Sequence, residues 1–152
     1  MKLFDIYRWA LPSRSSLQQG MGDQMTQQLN TFYKSVQNDS LFFLFTAVAF
    51  ALIFFIIYYW PYNNRPGRHY RWQKWLIFLG ISFACTFAVT LIIGASIHAP
   101  RPIIWVKVMF MLSLINSLYS ALLYSVFSFI LSQFPARWTK TNANLFMKIG
   151  RR

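Results

Sequence analysis

Catalysis needs acids, bases, nucleophiles or metal ligands that can be brought together, and this chain holds few of them. Its carboxylates are Asp5, Asp23 and Asp39, its histidines His69 and His98, and its one cysteine Cys85. All three carboxylates precede residue 40, so no carboxylate pair or proton relay can be built beyond that point. The histidines are separated by a long apolar segment and fall at opposite membrane faces, where they cannot share one metal ion. Cys85 has no neighbouring base to make it a nucleophile, and as a lone cysteine it cannot form an intramolecular disulfide. No G-x-S-x-G, H-E-x-x-H, C-x-x-C or phosphate-binding glycine loop is present. His98 stands beside Ala99-Pro100 at a helix end, which reads as an interfacial residue rather than a haem ligand. The expectation is a protein that is not an enzyme and carries no metal or cofactor.

Two rows of small and polar residues are more informative. Ser82, Thr86, Thr90 and Gly94 recur every four positions, and His98 continues the row. On a helix this is one face, where small side chains admit a neighbouring backbone and hydroxyls bond across the contact. Ala84 and Ala88 offer a weaker face of the same kind. Further along, Ser113, Ser117, Ser120, Tyr124 and Ser128 fall within about 80° of helical arc, with Asn116 at its edge. Hydroxyls on a lipid-length helix belong against protein or water rather than acyl chains. The row either glues this helix to its neighbours or, repeated around an axis of identical copies, lines a polar conduit.

The elements that carry these rows are plain. Leu41–Trp60, Trp75–Ile97 and Val108–Phe134 contain no charged residue. A helix rises about 1.5 Å per residue, so each can cross a hydrocarbon layer of about 30 Å. Within lipid the backbone must satisfy its own hydrogen bonds, which makes such segments helices. The composition agrees: 56% of residues are hydrophobic and only 12% charged, against about a quarter in soluble domains. The expected fold is an all-α membrane protein with transmembrane helices at about 41–60, 75–97 and 104–134. Residues 1–40 form an N-terminal amphipathic and polar helical part outside the bilayer, and residues 135–152 a short basic tail. Pro100 and Pro102 around Arg101 force a tight hairpin between the second and third spans. From Ile103 to Phe134 the third helix would run about 48 Å, so it tilts or projects from the membrane.

Within residues 1–40, Met1–Leu11 has apolar residues on one side and Lys2, Asp5 and Arg8 opposite. Such a segment lies in the headgroup plane or docks on the protein's own spans or a partner. Leu17, Met21, Met25, Leu29, Phe32 and Val36 then form a narrow stripe, which fits a helix packed along a seam, such as one against copies of itself. The same stretch also reads as a flexible polar lead-in, since Gly20 and Gly22 each cost a helix about 1 kcal/mol. The first span has no polar row, and its phenylalanines, Phe42, Phe43, Phe45, Phe50, Phe54 and Phe55, suit the lipid-facing outside. It ends in Tyr58-Tyr59-Trp60, an expected interfacial aromatic belt.

From residue 41 onward the chain has eleven Lys and Arg and no carboxylate. These charges flank the spans and suit anionic headgroups better than nucleic acid, and Arg65, Arg68, Arg71, Lys74, Arg137 and Lys140 are the headgroup candidates. Nine basic residues lie on the side of the 61–74 connection and the tail. Only Lys34, Arg101 and Lys107 lie close to the membrane on the other side. The positive-inside rule then puts the N-terminus outside and the C-terminus in the cytoplasm, in a bacterial inner membrane. The first apolar run begins only at Leu41, too deep for a secretory signal, so it is read as a retained anchor.

Ile6-Tyr7-Arg8-Trp9-Ala10-Leu11-Pro12-Ser13 faintly resembles the start of the cytochrome b subunit of succinate dehydrogenase, also a three-span family. The histidine and arginine that family places just downstream are absent here, so no haem is implied. In topology alone the chain resembles the class I holins of bacteriophages, although its tail is less densely charged. That resemblance implies a homo-oligomeric pore lined by the third-span hydroxyls. The leading reading is a non-enzymatic membrane subunit of a larger secretion, conjugation or bioenergetic complex. Its expected partners are membrane lipids and other membrane subunits or copies of itself.

Overall fold

The structure, a computed structural model, describes residues 7, 11–20, 22–62 and 72–132. All regular structure among them is helical. A short α1 (Arg14–Gln18) leads to α2 (Asp23–Asn38), then α3 (Ser40–Ile57) with a π-helical turn at Tyr58–Tyr62, α4 (Trp72–Ala95) and α5 (Trp105–Ser132). Three of these helices are long and apolar enough to cross a membrane: Ser40–Trp60, Gln73–Ala95 and Trp105–Ile130. This is an all-α integral membrane fold.

The helix ends follow local chemistry. Gly20 takes a positive φ of 86°, the only such backbone among the described residues, and turns the chain between α1 and α2. Helix α2 and α3 are separated by a single residue, Asp39, whose carbonyl accepts from the Phe42 and Phe43 amides at 3.0 and 3.2 Å. At the other end of α3, Pro61 has no N–H to give the carbonyl four residues back, and wider π pairing carries the helix through it. Helix α4 stops at Ala95, two residues earlier than the hydropathy suggests. There the Ser96 amide is shared between the Ile92 and Ile93 carbonyls, and Ile97 closes on Gly94 at 3.4 Å. The Pro102 carbonyl accepts from Trp105 at 2.8 Å and starts α5.

Helix α5 is the axis of the bundle: it packs on both α3 and α4, most extensively on α4. Its 28 residues make it about 42 Å long, well beyond the hydrocarbon thickness. Hydrogen bonds level Asn116 with Phe43 and Thr90, near the ends of the other two spans. The eleven residues of α5 before Asn116 therefore extend about 16 Å further, and α4 ends five residues past Thr90.

Helix α2 covers that extension. Leu29, Phe32, Tyr33 and Val36 form one buried cluster with Val108, Met109, Leu112 and Ile115 of α5, joined by Tyr7 and Leu11. Of the stripe of residues 17–36, Leu17, Leu29, Phe32 and Val36 thus pack within the chain, and Asp23–Asn38 is a helix. Tyr33 donates to the Pro12 carbonyl at 3.1 Å and Gln18 to the Asn30 side chain at 3.2 Å, which tie the preceding loop to it. Of the amphipathic 1–11 segment, Tyr7 and Leu11 are described and both are buried; the rest lies outside the described residues. Met21 also lies outside them.

Two expectations for the first span are corrected. Phe43 does not face lipid: it is wholly buried, in line with Ala47 and Ala51, and with Ser40 and Thr46 these form the inner face of α3. The outer face carries Phe42 and Phe45, which are exposed, as are Leu52, Ile53 and Ile56. Tyr58 and Tyr59 are not a belt either. The π turn carries them inward, where Tyr58 meets the Phe78 ring at 5.4 Å and Tyr59 the Phe55 ring at 4.8 Å. Trp60 alone of the three stays exposed.

Candidate functional site

The polar groups of the spans converge on the seams around α5. Asn116 is wholly buried and bonded on every side. Its Nδ2 donates to the Phe43 carbonyl of α3 and to Thr90 Oγ1 of α4, both at 2.8 Å. Its Oδ1 accepts from the Tyr7 hydroxyl at 2.9 Å. One amide therefore joins all three spans and the N-terminal segment. The Tyr7 ring also stands edge-on to Tyr119 of α5 at 5.8 Å. Burial, reinforced by the phenol of Tyr119, pushes the Tyr7 pKa well above its ordinary value.

Further along the α4–α5 seam, Ser82 and Ser120 share a hydrogen bond at 3.0 Å. Trp75 Nε1 donates to Ser128 Oγ at 3.0 Å. Thr86 donates to the Ser82 carbonyl at 2.8 Å, Ser113 to Met109 at 2.8 Å and Ser117 to Ser113 at 2.7 Å. These last three bond back to their own helices, which keeps buried hydroxyls satisfied at positions where small side chains let the helices close. Gly94 completes the row: a Cβ there would collide with Cε of Met109. The Tyr124 ring lies 5.6 Å from that of Trp75, tilted by 46°, and its hydroxyl has no hydrogen-bond partner among the described residues.

Ser82, Thr86, Thr90 and Gly94 thus lie on the buried side of α4, and Ser113, Asn116, Ser117, Ser120, Tyr124 and Ser128 on the buried side of α5. The structure brings the two rows face to face within one chain. Ala84 and Ala88 point away and are exposed. Lys74 is exposed at the start of α4, while Arg65, Arg68, Arg71, Arg137, Lys140 and His69 lie outside the described residues. Cys85 is a half-buried free thiol. At the α4–α5 hairpin, Arg101 donates to the Ala95 carbonyl and sits over the Trp105 ring, 5.1 Å from its centroid. It caps α4 where the helix dipole is negative.

Sequence reasoning missed Tyr7, Phe43 and Trp75 as members of this network. A signal for the first two existed: a lone asparagine at this depth requires donors and acceptors from elsewhere in the chain. With hydroxyls, one amide and one indole, the seam can hydrogen-bond, and among the described residues it holds no carboxylate, imidazole or ammonium group. No cluster of three or more His, Cys, Asp or Glu able to hold a metal exists among the described residues. No protein family, curated protein or solved structure matches this chain.

Proposed function

We propose that the protein is a non-enzymatic integral membrane subunit that helps assemble or anchor a larger membrane complex, of secretion, conjugation or bioenergetic type, through helix–helix packing. One observation carries this reading: the polar rows of α4 and α5 are turned into the protein's own seams, and what they leave outside is aliphatic and aromatic. A catalytic cleft or an ion path needs polar groups turned toward substrate or water. Here they are engaged in holding three helices and an N-terminal segment in one arrangement. The exposed face of α4 offers partner helices Gly80, Ala84 and Ala88 among larger aliphatic side chains, and a Cβ at Gly80 would meet nothing within 4 Å.

Membrane lipids and other membrane subunits, or further copies of the chain, are the partners this reading calls for. The basic residues serve as span flanks in a bacterial inner membrane, with the N-terminus outside and the C-terminus cytoplasmic. Purification of a tagged copy from its native membrane in mild detergent is the test. A particle much larger than one chain, holding other polypeptides in fixed ratio, is expected; a lone monomer would sink the proposal. The homo-oligomeric pore reading requires the α5 row to leave α4 and face an axis. Expression of the chain alone should therefore leave the membrane potential unchanged.

A further inference from the structure

A cleft of about 390 Å³ opens where the end of α2 meets the α4–α5 hairpin. Thr31, Ser35, Asn38 and Asp39 line one side, and residues 97–100, including His98, the other. Asp39 immediately precedes the first span and His98 closely follows the second, so the cleft lies at the level of the lipid headgroups. Its first wall is built to attract a cation. The Asp39 side chain makes no helix-capping bond and no ion pair among the described residues. The carbonyl end of α2 terminates beside it, carrying the partial negative charge of a helix C-terminus, while that of α4 is already taken up by Arg101. Thr31 gives its proton to the Gln27 carbonyl at 3.0 Å, which leaves its oxygen lone pairs as acceptors. In a chain of net charge +12, an acceptor-lined cleft whose carboxylate has no ion pair among the described residues runs against the overall field.

We propose that this cleft binds a primary ammonium group carried beside a phosphate, the chemistry of a phosphoethanolamine headgroup. The ammonium sits on the Asp39 wall, where three N–H donors meet carboxylate, hydroxyl and amide oxygens. The phosphate faces the exposed imidazole of His98. A quaternary ammonium has no N–H to give and is held by cages of aromatic rings, and no Phe, Tyr or Trp lines this cleft. The site therefore discriminates ethanolamine from choline headgroups.

The test uses the full chain in mixed nanodiscs or micelles containing equal amounts of phosphatidylethanolamine and phosphatidylcholine with identical acyl chains, read by native mass spectrometry. About tenfold preferential retention of the ethanolamine lipid is expected, on the scale of a charge-assisted hydrogen bond. Asp39→Asn should abolish the preference while keeping an equally good residue before α3. Thr31→Val, on the exposed side of α2, removes an acceptor independently and should weaken it. Displacement by soluble phosphoethanolamine would assign the site to the free headgroup chemistry; a preference that resists displacement assigns it to a lipid. Equal retention of the two lipids, or a preference that survives both substitutions, overturns the proposal.

Discussion

An asparagine amide brings two N–H donors and a carbonyl acceptor, and inside an apolar bundle each one left unpaired costs roughly 1–3 kcal/mol. Asn116 meets this demand by drawing on three other segments, one of them 109 positions away in sequence. In a double-mutant cycle of Tyr7→Phe and Asn116→Leu, a coupling of about 0.6–2 kcal/mol is expected, measured by unfolding in detergent. Zero coupling would mean that the two side chains do not share this bond in solution. Tyr7 makes a second prediction. Its folded pKa lies above the unfolded value near 10, so its contribution to stability is complete below about pH 10 and declines as the pH rises beyond that. Wild type should lose stability above about pH 10 more steeply than Tyr7→Phe, read from paired denaturation curves. At this scale the sequence revealed which side chains were polar and deep, because their periodicity is local. It hid their partners, because a tyrosine in a separate amphipathic segment and a backbone carbonyl of α3 leave no local pattern.

At the level of helices, the facing rows of α4 and α5 differ physically from the lipid side of α4. Thr86 is wholly buried against α5, while Ala84, two positions earlier, is exposed. Thr86→Leu should overpack the seam and cost about 1–3 kcal/mol. Ala84→Leu should change the stability of the isolated chain by less than about 0.5 kcal/mol. Thermal or denaturant unfolding of the two variants checks the seam. The same Ala84→Leu variant, tested for loss of co-purifying polypeptides, examines the outer face separately. Both rows were visible beforehand as fourfold spacing of small residues. The inner face of α3 was not, because Ala47 and Ala51 stand in a run dense with phenylalanine, where every face looks equally suited to lipid. The π turn was also hidden: Pro61 marks the end of regular α pairing, but nothing local says that Tyr58 and Tyr59 will then turn inward.

For the whole molecule, length is the governing fact. A helix of about 42 Å leaves Val108, Met109 and Leu112 beyond the level where α3 begins, and α2 supplies the surface that buries them. The excess length was legible in the sequence; what covers it was not, since the apolar stripe of α2 is equally compatible with self-association. A chain lacking residues 1–38 should still insert three spans but present this apolar surface to water. Most of it should run as aggregate on size exclusion in a detergent that keeps the full chain monodisperse. An intact, monodisperse truncation would show that α2 is dispensable.

The cover provided by α2 has a consequence for biosynthesis. During synthesis α2 leaves the ribosome some seventy residues before the stretch it must clasp, so its apolar stripe waits without a partner while three segments enter the bilayer. The Tyr7 hydroxyl waits longer still, since its acceptor, Asn116, arrives only partway along the last span. Closure of the N-terminal arm is thus a late step of maturation. A nascent chain stalled before residue 105 should leave that arm open to proteases from which the finished protein is protected.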